Sequence, residues 1–280
     1  MSQYDAAFQG SRGAFSEVAS WELLGRDARL LPCPHMEEVF AAVSSNTAKY
    51  GVVPVENTLA GAVLLHVDLL IQHELFVIGE TVCRIEHADI GAPGVQLKDV
   101  RRVMSHPVAL QQCARFFRLH PEIEAVTEYD TAGAVEKVVR ENMRDCAAIA
   151  GSRTAELFGG VILADKIQDF NENFTRFLLV SPENREPNDA VRNKTTVVLK
   201  LANTPGSLFH SLRPFAERGI DLTKIESRPI KGSPFEYLFY IDLVSDPGKL
   251  SGVIDAVAEL RKISASLRVL GTYPKTDARS

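Results

Sequence analysis

Residues 169–177 read Asp-Phe-Asn-Glu-Asn-Phe-Thr-Arg-Phe and run straight into an apolar stretch ending at Val180. A strand needs only the apolar stretch, so the acids, amides, hydroxyl and guanidinium at its start call for another explanation. A hydroxyl held by neighbouring groups is positioned to act on a bound ligand. Side chains alternate along a strand, which puts Thr175 and Phe177 on one face and Phe174 and Arg176 on the other. Thr175 is therefore the candidate for chemistry, and Arg176 is either a ligand clamp or half of a structural ion pair. Asp169 and Asn173 can hold the preceding loop through local backbone hydrogen bonds.

Similar groups stand just beyond other apolar runs. Gly10, Ser11, Arg12 and Gly13 follow the first, where glycines let backbone N–H groups approach an anion at a helix start. Glu56, Asn57 and Thr58 follow Pro54 and Val55. Ser105 and His106 stand at the entrance of a helix begun by Pro107, with Gln112 about a turn further on. Asp130 or Thr131 is a natural N-cap, and Ser152 is another. Each cluster by itself reads equally well as a turn or a cap; their convergence at one edge of one sheet points to a site.

What must position these groups is an alternation of strand-like segments (4–8, 50–55, 101–105, 147–151 and 174–180) with helix-like ones (14–25, 36–45, 66–74, 108–119, 131–141 and 152–159). That alternation predicts an α/β sheet with covering helices. In open sheets of this kind ligands sit beyond the carboxyl ends of the strands. The polar segment 181–194 reads as a linker. After it the order strand, helix, strand, strand, helix, strand is the ferredoxin-like arrangement, with a helix at 206–219 interrupted by Pro214. The expected division is a domain over 1–182, a linker over 183–193 and a second domain over 194–276.

At 280 residues, 45% hydrophobic and 24% charged, the chain has ordinary globular composition and the length of two domains. A formal net charge of -5 and the lack of basic runs argue against a nucleic-acid partner. No apolar run reaches the roughly 20 residues of a membrane span, and Met1 to Gly13 lacks a secretory start. A soluble, cytoplasmic protein with no membrane partner is expected. Cys33, Cys83, Cys113 and Cys146 show no CxxC spacing and read as reduced, mostly buried thiols. The histidines show no HExxH, and His66 with His73 on one helix face implies no metal.

The segments "NFTRF", "VPVENTLAG", "SHPVALQQC" and "KIESRP", in this order over almost the full chain, resemble the prephenate dehydratase family. The resemblance implies a two-lobed α/β catalytic domain like that of periplasmic binding proteins, followed by a ferredoxin-like βαββαβ ACT domain. It also implies conversion of prephenate to phenylpyruvate, feedback by L-phenylalanine, and a homodimer or homotetramer. No cofactor and no metal are required. On the family's pattern Thr175 is the catalytic hydroxyl, flanked by Arg176 and Phe177, and Glu56 and Asn57 are the acid-amide pair, with Thr58 after them. Ser105 and His106 match its Ser-His-Pro site and Gln112 its glutamine; Asn57, Ser105, Gln112 and Thr131 would hold substrate oxygens, and Glu56 is a candidate proton source. Ser11, Arg12 and Asn173 complete the expected substrate shell, with helix starts near Ser11 and Thr131 offsetting the substrate's charge.

In the second domain Asn203, Pro205, Gly206, Ser207, Leu208 and Phe209 would meet the effector together with Glu226, Ser227, Arg228 and Pro229 of a neighbouring copy. Deleting residues from Asn193 onward is expected to leave activity and abolish the phenylalanine response. The alternatives are arogenate dehydratase, which acts on a substrate with an amine in place of the keto group, and a non-catalytic amino-acid sensor.

Overall fold

The computed structural model describes residues 2–184, 193–230, 232–246 and 248–277, so most of the expected linker, 185–192, lies outside the described residues. The chain divides into two compact units, one of residues 2–69 and 81–177, the other of residues 70–80 with the described part of 178–277.

In chain order the elements are β1 (Tyr4–Gln9), α1 (Phe15–Leu24), β2 (Leu30–Cys33), α2 (Met36–Ser44), β3 (Ala48–Asn57), β4 (Gly61–Ala62), α3 (Leu64–Gln72), β5 (Phe76–Arg84) and β6 (Ala88–Gly91). There follow β7 (Arg102–Ser105), α4 (Pro107–Gln112), α5 (Ala114–Leu119), β8 (Glu124–Thr127), α6 (Thr131–Arg140), β9 (Cys146–Ala150), α7 (Arg153–Phe158), β10 (Val161–Ala164) and β11 (Phe174–Ser181). They build two sheets, in the orders β2-β1-β3-β11-β5, with β4 on β3, and β10-β6-β9-β7-β8. The polar strand ends expected at the edge of one sheet thus come from two. The chain enters the second sheet after β5 and returns at β11.

Pairing is parallel in β1 with β2 and β3, and in β7 with β8 and β9, as alternating helices require. β6 runs antiparallel to both its neighbours, β9 and β10. Periodicity did not reveal β2, β5, β6, β8 or β10. β2 carries Pro32 at a sheet edge, β8 and β10 are exposed edges, and β6 has Asp89 in four residues. The helix expected over 108–119 breaks at Cys113, whose ψ of 28° separates α4 from α5. All four cysteines are free and buried.

The second unit contains β12 (Lys194–Lys200), α8 (Ser207–Ala216), β13 (Asp221–Pro229), β14 (Tyr237–Val244), α9 (Leu250–Ile263) and β15 (Ser266–Tyr273). Its sheet, in the order β13-β14-β12-β15, is antiparallel throughout, the ferredoxin-like arrangement. Val197, Leu199, Ile241 and Leu243 of the inner strands pack with Phe215 of α8 and Val253, Val257 and Leu260 of α9. Residues 70–80 belong to the same unit. Lys194 Nζ lies 3.1 and 2.9 Å from the two Glu80 carboxylate oxygens, and both side chains are buried away from water.

Candidate active site

Within the first unit a cavity of about 370 Å³ opens between the ends of strands from the two sheets. β1 delivers Gly10, β3 delivers Asn57 and β11 delivers Thr175 from one sheet. From the other sheet's side come His106 and Gln112 at the two ends of α4, and Asp130 and Thr131 at the start of α6. Phe15, Val63, Ile85 and Val108 supply an apolar wall.

The centre of the site is a chain of amides. Asn57 Oδ1 accepts the backbone N–H groups of Leu59 and Ala60 at 3.0 and 2.8 Å, an Asx-type turn that fixes which end of the amide is which. Asn57 Nδ2 therefore shares its two hydrogens among Asn173 Oδ1 at 2.8 Å, the Phe174 carbonyl at 3.1 Å and Thr175 Oγ1 at 3.0 Å. Asn173 Nδ2 continues the chain to Gln112 Oε1 at 3.0 Å. Thr175 Oγ1 is thus an acceptor in this network, and its own O–H remains to donate. Two of the tethers explain the polar run ahead of β11: Asp169 Oδ1 accepts the Arg115 N–H, and the Asp169 N–H donates to the Gln112 carbonyl at 2.7 Å.

Other expected residues fall elsewhere. Ser105 is fully buried and its hydroxyl donates to the Ile149 carbonyl at 2.6 Å, so it braces β7 to β9 instead of meeting a ligand. Phe177 is 2% exposed and belongs to the core behind the site. Glu56 and Arg176 are not among the residues lining the cavity; they form an ion pair with each other, Nε to Oε2 at 3.7 Å. Strand alternation puts them on the side of β11 opposite Thr175. The Thr58 hydroxyl accepts the Phe174 N–H at 2.9 Å and donates to the Glu172 carbonyl at 3.0 Å, stapling β3 to the start of β11. Asn173 is fully buried and acts through Asn57 and Gln112.

The anion cradle expected at the first loop is already filled. Ser11 donates its N–H and hydroxyl to Asp130 Oδ2 at 2.9 and 2.8 Å, while Asp130 Oδ1 caps α6 at the Gly133 N–H. Arg12 is exposed and faces Glu17 at 4.0 Å. Ser152 makes no side-chain cap. His106 is the N-cap of α4, its Nδ1 accepting the Val108 N–H at 3.2 Å, and burial depresses its pKa. No Lys or Arg stands among the cavity-lining residues. Sequence reasoning missed His87, Phe15 and Tyr129, which also line the cavity; Phe15 and Tyr129 adjoin the clusters at Gly10–Gly13 and Asp130–Thr131, where aromatic side chains read as packing, and His87 follows no strand-like run, so only the tertiary fold shows that they face the site.

In the second unit Gly206, at φ 82°, is the N-cap of α8, and Thr204 and Ser207 exchange a hydroxyl hydrogen bond at 2.7 Å beside it. Leu208 and Phe209 are exposed, Phe209 at 71%. Asn203 Nδ2 donates to the Phe235 carbonyl at 3.4 Å, and Pro205 is exposed in the same loop. Glu226, Ser227, Arg228 and Pro229 lie along β13, an edge strand whose residues alternate between exposed and half-buried.

A family model for prephenate dehydratase matches residues 6–185, and one for the ACT domain matches 195–262. An Arabidopsis thaliana protein named arogenate dehydratase/prephenate dehydratase 2, chloroplastic, is 38% identical over 283 residues, covering 98% of this chain and 73% of its own. Among solved structures, prephenate dehydratase from Arthrobacter aurescens in complex with L-Phe is 34% identical with a TM-score of 0.85, covering 96% of this chain and 90% of its own. A second, GqqA, described as a novel type of quorum quenching acylase, is 33% identical with a TM-score of 0.86, covering 97% and 98%.

Proposed function

Since the chain belongs to the prephenate dehydratase family, we propose that its lyase chemistry takes place in the cavity beside Thr175, with prephenate converted to phenylpyruvate. In that reaction the ring carboxylate leaves as carbon dioxide. The electron pair of the broken C–C bond completes the aromatic ring and expels the 4-hydroxyl, which takes one proton and departs as water. Aromatisation drives the step, so the protein has to align the two leaving groups and place a hydrogen at the departing oxygen.

The observation that carries this reading is the polarity at Thr175: Oγ1 receives the Asn57 Nδ2 hydrogen, leaving the threonine hydrogen for the substrate oxygen. A threonine hydroxyl is a weak acid, so it serves as a hydrogen-bond donor or as the last member of a relay. His106, Thr131 and Gln112 border the cavity from the other sheet and can hold the substrate's carboxylates. The same polarity speaks against acyl hydrolysis, since the group meeting the hydroxyl is an amide N–H, which cannot take up its proton.

One observation favours arogenate as a second substrate. Asp130 is the carboxylate of a cavity whose lining residues include no Lys or Arg, and arogenate brings an ammonium that prephenate lacks. Incubation with each substrate in turn, following release of phenylpyruvate or of phenylalanine, tests both. Failure to release either product sinks the reading.

L-Phenylalanine as effector fits the ACT unit, where the Gly206–Phe209 turn and the β13 edge present an open, partly apolar rim. Pairing of two copies along that rim, as homodimer or homotetramer, would bury Phe209 and complete the pocket. Inhibition then requires tighter binding to a less active arrangement. The assay with and without phenylalanine reads it directly.

A further inference from the structure

His87 lines the cavity and is 2% exposed. Its backbone is fixed on both sides: the N–H donates to Gln168 Oε1 at 2.9 Å and the carbonyl accepts the Ile167 N–H at 3.0 Å. The ring stands edge-on to Phe15, centroids 5.9 Å apart. Nε2 lies 3.0 Å from Gln112 Oε1, while Nδ1 is buried with no hydrogen-bond partner among the described residues.

The proton's place on this ring follows from the backbone. The N–H groups of Leu59 and Ala60 can only donate, so the Asn57 atom they meet is oxygen. The Phe174 carbonyl can only accept, so the Asn57 atom it meets is nitrogen, which is the same assignment reached independently. Asn57 Nδ2 in turn faces an oxygen of Asn173, which leaves Asn173 Nδ2 to donate to Gln112 Oε1. Gln112 Nε2, on the other end of its amide, points to Asn57 Oδ1 at 3.5 Å. Gln112 therefore offers His87 an oxygen, and His87 Nε2 must carry hydrogen. Burial lowers the pKa of the imidazole and so leaves Nδ1 unprotonated.

We infer that His87 is a positioning residue of the site, held as the Nε2–H tautomer, whose donation to Gln112 Oε1 locks the amide chain Gln112–Asn173–Asn57 that leaves the Thr175 hydrogen for the substrate. The inference rests on the role given to Thr175 above. Without His87 the Gln112 oxygen keeps only the Asn173 donor, and the amide gains freedom to rotate out of register with Asn57.

Isosteric variants separate this role from simple packing. The side-chain nitrogen of glutamine falls near that of imidazole Nε2, and that of asparagine near Nδ1, so His87→Gln keeps the donor and His87→Asn removes it. His87→Asn is expected to lower kcat about tenfold, the size of one hydrogen bond, with a smaller change in KM; His87→Gln recovers most of the loss. Equal losses in the two variants, or none in His87→Asn, would overturn the inference. A second measurement does not depend on turnover or on the asparagine variant folding. In protein with ¹⁵N-labelled histidine, the ring signals lost in His87→Gln identify His87, and at neutral pH they should show the Nε2–H pattern. An Nδ1–H or doubly protonated ring overturns the assignment. Should the unmodified protein release neither phenylpyruvate nor phenylalanine, the reading of the cavity fails, while the tautomer still stands or falls on its spectrum.

Discussion

At the scale of single residues, function in the cavity turns on which atom of each amide faces which neighbour. Thr175→Ala removes the one hydroxyl that meets both the amide chain and the cavity, and is expected to lower turnover by about a hundredfold, the contribution of a positioned acid. Its fold should persist, because Thr175 is only half-buried and the strand around it is held by backbone pairing. Thr175→Ser should retain most activity. Steady-state rates with a thermal midpoint for each variant check this, and an unchanged rate in Thr175→Ala would remove the hydroxyl from the mechanism. Asn57→Asp is nearly isosteric yet sets an oxygen against Asn173 Oδ1, the Phe174 carbonyl and Thr175 Oγ1. It should cost about 1–3 kcal/mol of stability in addition to activity, measurable by denaturant unfolding.

At the scale of elements, one close approach governs how β15 seats itself. Its register against β12 shifts between Thr196 and Val197, and Gly271 sits at that shift. A Cβ added at Gly271 would stand 1.9 Å from the Val77 carbonyl oxygen, a backbone atom with little room to yield. Gly271→Ala is therefore expected to destabilise the unit by about 1–3 kcal/mol or more through overpacking, read as a lower denaturant midpoint. The missed elements have the same kind of explanation. β8 and β10 are four-residue edge strands with no buried residue, too short and too exposed to impose a hydrophobic alternation. The break at Cys113 follows no Pro or Gly, so helical periodicity ran through it.

At the scale of the whole molecule, the second unit is more than an appended regulator. It takes in residues 70–80, and the buried Glu80 carboxylate has the Lys194 ammonium as its counter-ion. Removal of residues from 194 onward takes away Lys194 together with most of the unit in which Leu70, Leu75 and Val77 are buried, leaving apolar surface exposed to water. The truncated chain should thus unfold more easily than the full one instead of merely losing its phenylalanine response, and calorimetry of both forms decides.

A second global property comes from Asp89, fully buried on β6 across from Ile149 and Ala164, with neither carboxylate oxygen partnered among the described residues. Burial pushes its pKa up to about 7, against an ordinary 3.8. The folded protein then holds this proton where the unfolded chain has released it, so from about pH 4 to pH 7 rising pH destabilises the fold, up to the order of 4 kcal/mol. Asp89→Asn should be more stable relative to the parent at pH 8 than at pH 4, with the difference shrinking across that window. Half-buried His66 and buried His87, with lowered pKa values, act in the opposite sense below about pH 6.5, where stability falls as pH falls. A pH-independent difference between Asp89→Asn and the parent would contradict the assignment.

The sequence by itself determined the two α/β-type parts, the βαββαβ order of the second, and the prominence of Thr175, Asn57, Gln112, His106 and Thr131, because strand period, helix caps and polar clusters are local signals. It could also place Thr175 and Arg176 on opposite faces, since alternation is a property of the strand alone. Only the tertiary structure decided that Ser105 is turned to the Ile149 carbonyl, that Asp130 occupies the Ser11 cradle, that Arg176 pairs with Glu56, and that His87 joins the site. A hydrogen-bonding side chain declares its type in the sequence but not its partner, and these partners lie between 25 and 120 residues away along the chain, on segments that only folding makes neighbours.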